Sequence, residues 1–186
     1  MTKNSFIGKS AWITGASSGL GRALALELGA LGAKLILSGR DEVALAHVAQ
    51  SAGTDARVLA FDLEDDAACG EAANQALAVF GRLDFVVLNA GISQRSLFVN
   101  TSKTAFSKIM RTNFISSVEI TRAVLPSMLR QRGGSILCVS SLAGLMGAPL
   151  RSAYSASKHA LAGFFSSVRT EIEGSGVTIH IAYPGF

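Results

Sequence analysis

Ser10-Ala11-Trp12-Ile13-Thr14-Gly15-Ala16-Ser17-Ser18-Gly19-Leu20-Gly21 is the stretch that decides the fold. Ser10 to Thr14 is a short apolar run of strand length. Gly19 to Gly29 has helical spacing, with Leu20, Leu24, Leu28 and Leu31 on one side. Between them, Gly15, Gly19 and Gly21 let the chain turn tightly, approach a ligand and pack helix against sheet. The N–H groups that open the following helix, around Ser17, Ser18, Gly19 and Leu20, suit a pyrophosphate. Taken alone, the loop also reads as a tight structural turn. Its place between a first strand and a first helix favours the phosphate. No Gly-Lys-Ser/Thr closes it, so it is not a P-loop.

Outward from this stretch, strand-length apolar runs alternate with helical patterns. Strands are expected at 33–37, 57–61, 85–88, 135–140 and 177–182. Helices are expected at 41–50, 65–80 and 154–173, and from Thr104 through Thr112 towards Leu129, with Pro126 as a candidate kink. Continuously apolar strands alternating with helices predict an α/β fold, a doubly wound parallel sheet of the Rossmann kind, in one domain over 1–186.

Composition sets the outer limits. The chain has 186 residues, 49% hydrophobic and 16% charged, which suits one domain with a hydrophobic core and excludes a disordered polyelectrolyte. The first 93 residues carry 7 basic and 10 acidic side chains, and the last 93 carry 10 and 3. The basic residues of the second half are dispersed, so no nucleic-acid partner is expected. Cys69 and Cys138 have no metal-ligand spacing, and no metal site is expected. No long apolar segment predicts a membrane span, and Lys3, Asn4 and Lys9 interrupt any signal-like stretch, so the expected location is cytoplasmic.

The second strand ends at Ser38-Gly39-Arg40. A carboxylate here would receive the ribose hydroxyls of NAD, whereas Arg40 can fork onto a 2′-phosphate. NADP is therefore favoured over NAD. Asp41 as a ribose acceptor and Arg40 as a solvated charge are the competing readings. Asp62, after the third strand, suits either the adenine amino group or a turn cap. Asn89-Ala90-Gly91, after the fourth, leaves room for a ribose, and Asn89 can pin neighbouring strands.

In the second half, Tyr154 and Lys158 share a helix face at i, i+4. An ammonium beside a phenol favours the phenolate, which suits proton transfer. Ser140 and Ser141 close the fifth strand at the carboxyl end of the sheet, where a hydroxyl can hold a substrate oxygen. Asn113, inside a helix, reads as the holder, through its side chain or local backbone, of a water on a path to Lys158, or as a polar residue of no consequence. His47, His159 and His180 have no partner pattern, and no Gly-x-Ser-x-Gly elbow supports a hydrolase.

These motifs together resemble the short-chain dehydrogenase/reductase family. Residues Thr14 to Gly21 match its T-G-x-x-x-G-x-G, and Asn89-Ala90-Gly91 most of its N-N-A-G, with Leu88 in place of the first Asn. Asn113, Ser141, Tyr154 and Lys158 fall on its catalytic tetrad, and Pro184-Gly185 on the P-G after the sixth strand. The 91–98 and 154–165 segments are similar to the dehydrogenase/reductase member 7 subgroup, and more loosely to 11β-hydroxysteroid dehydrogenase. The resemblance implies hydride transfer between a nicotinamide and a carbonyl or secondary alcohol of a lipophilic substrate, with NADP bound by Gly15 to Gly21, Arg40, Asp62, 89–91, Tyr154, Lys158 and Pro184-Gly185. It assigns Ser141 to orient the substrate oxygen, which separates it from Ser140. It assigns Tyr154 to the proton, and Lys158 to the ribose and the phenol. It also implies a homo-dimer or tetramer, with Phe164, Phe165 and Val168 in the contact or in the core. It predicts six strands of an expected seven, with the lid and last strand missing. Such a chain is a fragment, or else a naturally short, non-catalytic nucleotide-binding or regulatory module.

Overall fold

The computed structural model describes residues 6–185; Lys3, Asn4 and Phe186 lie outside them. Six strands alternate with helices: β1 (Ser10–Thr14), α1 (Gly19–Ala30), β2 (Lys34–Gly39), α2 (Glu42–Ser51), β3 (Ala56–Ala60), α3 (Asp66–Val79), β4 (Phe85–Leu88), α4 (Lys103–Met110), α5 (Ser116–Gln131), β5 (Gly134–Val139), α6 (Ser152–Glu171) and β6 (Val177–Ala182). They form one sheet in the order β3-β2-β1-β4-β5-β6, and every pairing is parallel. The order reverses between β1 and β4. Loops at the carboxyl ends of those strands therefore diverge and open a crevice.

Alternation along the strands builds two cores. Trp12, Ile36, Val86, Leu88, Ile136 and Cys138 face α3, α5 and α6, where Ile120, Val124, Leu161 and Phe165 complete a buried layer. Ala11, Ile13, Leu35, Leu37, Val87 and Val139 face the opposite side, against α1 and α2. The Trp12 indole N–H, fully buried, donates to the Ser38 hydroxyl at 2.8 Å, as a buried donor must find a partner. Phe165 and Val168 belong to the core, and the half-buried Phe164 packs edge-on against Phe114 and Phe165. The Cys69 and Cys138 thiols are buried and pushed up to about 12, first by desolvation, so both stay protonated.

Two local expectations changed. In α1 the buried stripe is Gly21, Ala25 and Gly29, while Leu24 and Leu28 are half-buried and Leu20 is exposed. Small residues bring the helix axis close to the sheet, and the leucines flank that seam. The irregularity between α4 and α5 is not at Pro126, through which α5 continues to Gln131. It is a single π turn at Arg111–Ile115, where the Ser116 N–H reaches back to the Arg111 carbonyl. The extra residue rotates Thr112 and Asn113 into the protein, and both are buried. Among the described residues, no helix is long and apolar enough to cross a membrane.

Candidate active site

The crevice at the carboxyl ends of the strands has two lobes that share Asn89, Gly91 and Ile92. The first, of about 370 Å³, is lined among others by Gly15, Ser17, Ser18, Arg40, Asp62 and Ala90. The second, of about 320 Å³, holds Leu20, Ser141, Tyr154, Lys158, Pro184 and Gly185. Of the residues named from the sequence, Gly19 instead lines the groove between α1 and α2, Gly21 lies beneath the loop, and Asn113 lies behind Gly91.

Gly21 shows why the loop needs glycine. A Cβ there would collide with the Gly15 carbonyl and come within 2.6 Å of Asn89 Nδ2. That close approach lets Asn89 Nδ2 donate to the carbonyls of Thr14 and Gly15 at 3.1 and 3.2 Å. The Thr14 hydroxyl donates to the Val87 carbonyl and accepts from the Asn89 and Ala90 N–H groups. Strand-end pinning by Asn89 is thus reciprocal, and Thr14 is its second half.

The first lobe fits a dinucleotide. Asp41, Asp65 and Ser102 cap α2, α3 and α4 with their own side chains, but Ser18 makes no such bond at α1. Ser17 and Ser18, which lead into that uncapped first turn, line the lobe. Thr112 Oγ1, buried and with no hydrogen-bond partner among the described residues, belongs to a side chain lining the same lobe. Asp41 accepts from the Ala44 N–H at 2.9 Å, which commits it to the helix cap and leaves Arg40 as the residue facing the lobe. Asp62 Oδ1 accepts from the Glu64 N–H at 3.0 Å while the residue lines the lobe, so the cap reading holds without removing it from the site.

In the second lobe, the two serines separate by geometry. The buried Ser140 hydroxyl donates to the Lys158 carbonyl and braces α6. Ser141 is half-buried, and its Oγ accepts from the Ala143 N–H at 3.2 Å. Lys158 is buried, with Nζ donating to the Val139 carbonyl at 2.8 Å and lying 5.8 Å from the Tyr154 ring centroid. Burial lowers its pKa to about 8, with a small opposing effect from Cys138. Arg151 also sits 5.8 Å from that ring, on the preceding turn, while donating to the Ser93 hydroxyl.

The side-chain amide of Asn113 is engaged by protein groups. Its Oδ1 accepts from the Ile92 N–H at 2.8 Å, and its Nδ2 donates to the Ile92 carbonyl and the Ser157 hydroxyl at 2.9 and 3.0 Å. Those contacts take up the amide, so it braces the loop between the lobes. A methyl group built on Gly91 would lie 3.3 Å from Asn113 Oδ1 and 3.5 Å from Lys158 Nζ, which fixes how closely these two groups converge.

Sequence reasoning missed Gln94. Arg151 precedes α6 without capping it, and Gln94 Oε1 accepts from the Tyr154 N–H at 3.2 Å. No local pattern signals a cap supplied from 60 residues away. Thr112, Leu63, Glu64, Ile92 and Ser93 were likewise missed as lining residues. Each lies within two residues of a position that the sequence did single out, Asp62, Gly91 or Asn113.

The doubly wound parallel sheet, with a glycine-rich loop at one lobe and Ser141, Tyr154 and Lys158 at the other, defines a Rossmann-type α/β protein. The chain belongs to the short-chain dehydrogenase family, whose model matches residues 9–186. It is 39% identical over 183 residues to dehydrogenase/reductase SDR family member 7B of Bos taurus, covering 94% of this chain and 56% of the relative. It is 40% identical over 182 residues to dehydrogenase/reductase SDR family member 7 of Homo sapiens, covering 94% and 54%. The chain thus spans little more than half the length of these curated relatives. A metagenomic short-chain oxidoreductase solved in complex with NADP superposes with a TM-score of 0.94 at 33% identity, covering 98% of this chain and 85% of the other. A short-chain dehydrogenase/reductase of Burkholderia phymatum solved in complex with NAD gives 0.92 at 31%, covering 97% and 66%.

Proposed function

We propose that the protein is an NADP-dependent oxidoreductase acting between a carbonyl and a secondary alcohol. The observation that carries this reading is the convergence of Ser141, Tyr154 and Lys158 on one lobe that shares Asn89, Gly91 and Ile92 with the nucleotide lobe. The α1 N-terminus, Ser17 and Ser18 hold the pyrophosphate, and Arg40 takes the 2′-phosphate. Asp62 would receive the adenine amino group, Asn89 to Gly91 would hold the ribose, and Pro184 and Gly185 line the far side of the second lobe. A bound nicotinamide supplies or accepts the hydride.

The chain's own residues then manage the oxygen. The Ser141 hydroxyl orients it, and Tyr154 gives it a proton during reduction or removes one during oxidation. With its pKa near 8, Lys158 is largely protonated at neutral pH and presents positive charge towards the phenol ring. Asn113 and Gln94 act through others, holding the Ile92 loop and the first turn of α6.

A lipophilic substrate is supported by Leu142, Leu145 and Met146, three exposed apolar side chains within five residues of Ser141. Leu150, also exposed, accepts from the Ser96 N–H, which ties this rim to the exposed Leu97 and Phe98. Association into a dimer or tetramer belongs to the same reading, and sedimentation of the purified protein tests it.

The decisive experiment follows dinucleotide-dependent turnover of a panel of apolar ketones and aldehydes. Turnover abolished by Tyr154→Phe, with dinucleotide binding retained, supports the mechanism, and normal turnover by that variant refutes it. Dinucleotide binding with no turnover across the panel would instead favour a non-catalytic nucleotide-binding module.

A further inference from the structure

We infer that Glu64 and Lys108 form a charge gate that sets how strongly the chain distinguishes NADP from NAD, an inference that rests on Arg40 as the 2′-phosphate receptor. Glu64 leaves the loop after β3 and lines the nucleotide lobe with Arg40. Its Oε1 is shared by two cations. Lys108 Nζ, from the last turn of α4, is 2.5 Å away, and the Arg40 guanidinium is 3.9 Å away. Three separate elements therefore meet on one carboxylate at the adenosine end of the cleft.

The charge balance gives this contact a consequence. The charged side chains lining the lobe are Arg40, Asp62 and Glu64, one cation against two carboxylates. A 2′-phosphate, a monoester carrying roughly 1.5 to 2 negative charges at neutral pH, must enter that field. The neighbouring Arg111 is engaged by Asp66 at 2.8 Å. Lys108 is the cation that neutralises Glu64, although it lines none of the lobe. By holding Oε1 on the α4 side, it also leaves Arg40 only the longer contact, so the guanidinium can turn its fork onto a phosphate. A ribose hydroxyl carries no charge, so NAD is indifferent to the gate. Lys108 is thus a specificity-determining residue that acts through Glu64.

Calorimetric titration of the protein with NADP and with NAD tests this without turnover. Lys108→Gln should weaken NADP binding about fivefold and leave NAD within about twofold, the scale expected of an exposed ion pair. Glu64→Gln should tighten NADP about threefold, and adding Lys108→Gln to it should then change NADP by less than about twofold, because nothing remains to neutralise. The Lys108→Gln effect should also shrink as salt is raised. Equal weakening by Lys108→Gln in both backgrounds would overturn the gate, since Lys108 would then act on the phosphate itself. Parallel losses of NADP and NAD would overturn it as well, since the role would be structural. Arg40→Gln separates the two levels. If it leaves the NADP-to-NAD ratio unchanged, the 2′-phosphate reading fails. If it collapses the ratio while Glu64 and Lys108 do not couple, the gate alone fails. A wild-type protein that shows no preference for NADP overturns both.

Discussion

Replacing Lys158 by Met asks whether the buried ammonium is kept at a cost to stability. Lys158 is buried, with Nζ held by the Val139 carbonyl at the end of β5, and burial brings its pKa from 10.5 to about 8. At ~1.4 kcal/mol per pH unit, that depression corresponds to a penalty of about 3 kcal/mol for burying the charged form. The hydrogen bond from Nζ to the Val139 carbonyl returns about 1.5 kcal/mol or more, so the net gain from Met near neutral pH is roughly 1 kcal/mol. The pH dependence is the sharper test. The folded state binds this proton less tightly than the unfolded chain. The penalty is therefore fully present below about 8 and fades as pH rises towards 10.5. Between about pH 7 and about pH 9.5, wild type should gain roughly 2 kcal/mol relative to Lys158→Met. Urea unfolding of both proteins at the two pH values measures the difference. A gap that is constant, or that widens in favour of Met as pH rises, would refute the reasoning.

Gly21→Ala should cost about 2 kcal/mol and loosen dinucleotide binding, because the new methyl meets the Gly15 carbonyl; denaturation and titration of the same sample check both. Asn113→Ala breaks the bonds to Ile92 and Ser157 and leaves buried groups unpaired, so thermal unfolding should show a loss of about 2 to 4 kcal/mol. Asp84 is the acid-sensitive clasp of the sheet. Burial raises its pKa, but the Ser10 N–H, Arg82 and Lys9 outweigh this and hold it below the usual carboxylate range. Its stabilisation is present above the unfolded value near 3.9 and is lost as pH falls through the lower folded value. Asp84→Asn should therefore be less stable than wild type at neutral pH, with the difference narrowing in acid, as unfolding curves at several pH values would show.

The order of elements, the parallel sheet and the two glycine-bearing loops were legible in the sequence because each depends on short-range periodicity or on one residue's conformational freedom. Apolar runs such as Ser10–Thr14 and Val177–Ala182 coincide with strands in the structure. The Tyr154–Lys158 spacing places both side chains on one lobe because an α-helix repeats every 3.6 residues. The leucines of α1 misled because their helical spacing is real but only flanks the seam. The close contact there is made by Gly21, Ala25 and Gly29, whose small size carries no hydrophobic signal.

What only the tertiary structure decided are pairings between distant segments. The π turn rotates Asn113 inward onto Ile92, 21 residues away, and its side chain braces that loop. The Ser140 hydroxyl turns onto the Lys158 carbonyl, Gln94 caps the helix that carries Tyr154, and Glu64 lies between Arg40 and Lys108. A local pattern can specify the direction in which a side chain leaves its own helix or strand. It cannot specify what the chain brings to meet it, because that depends on how separate elements pack.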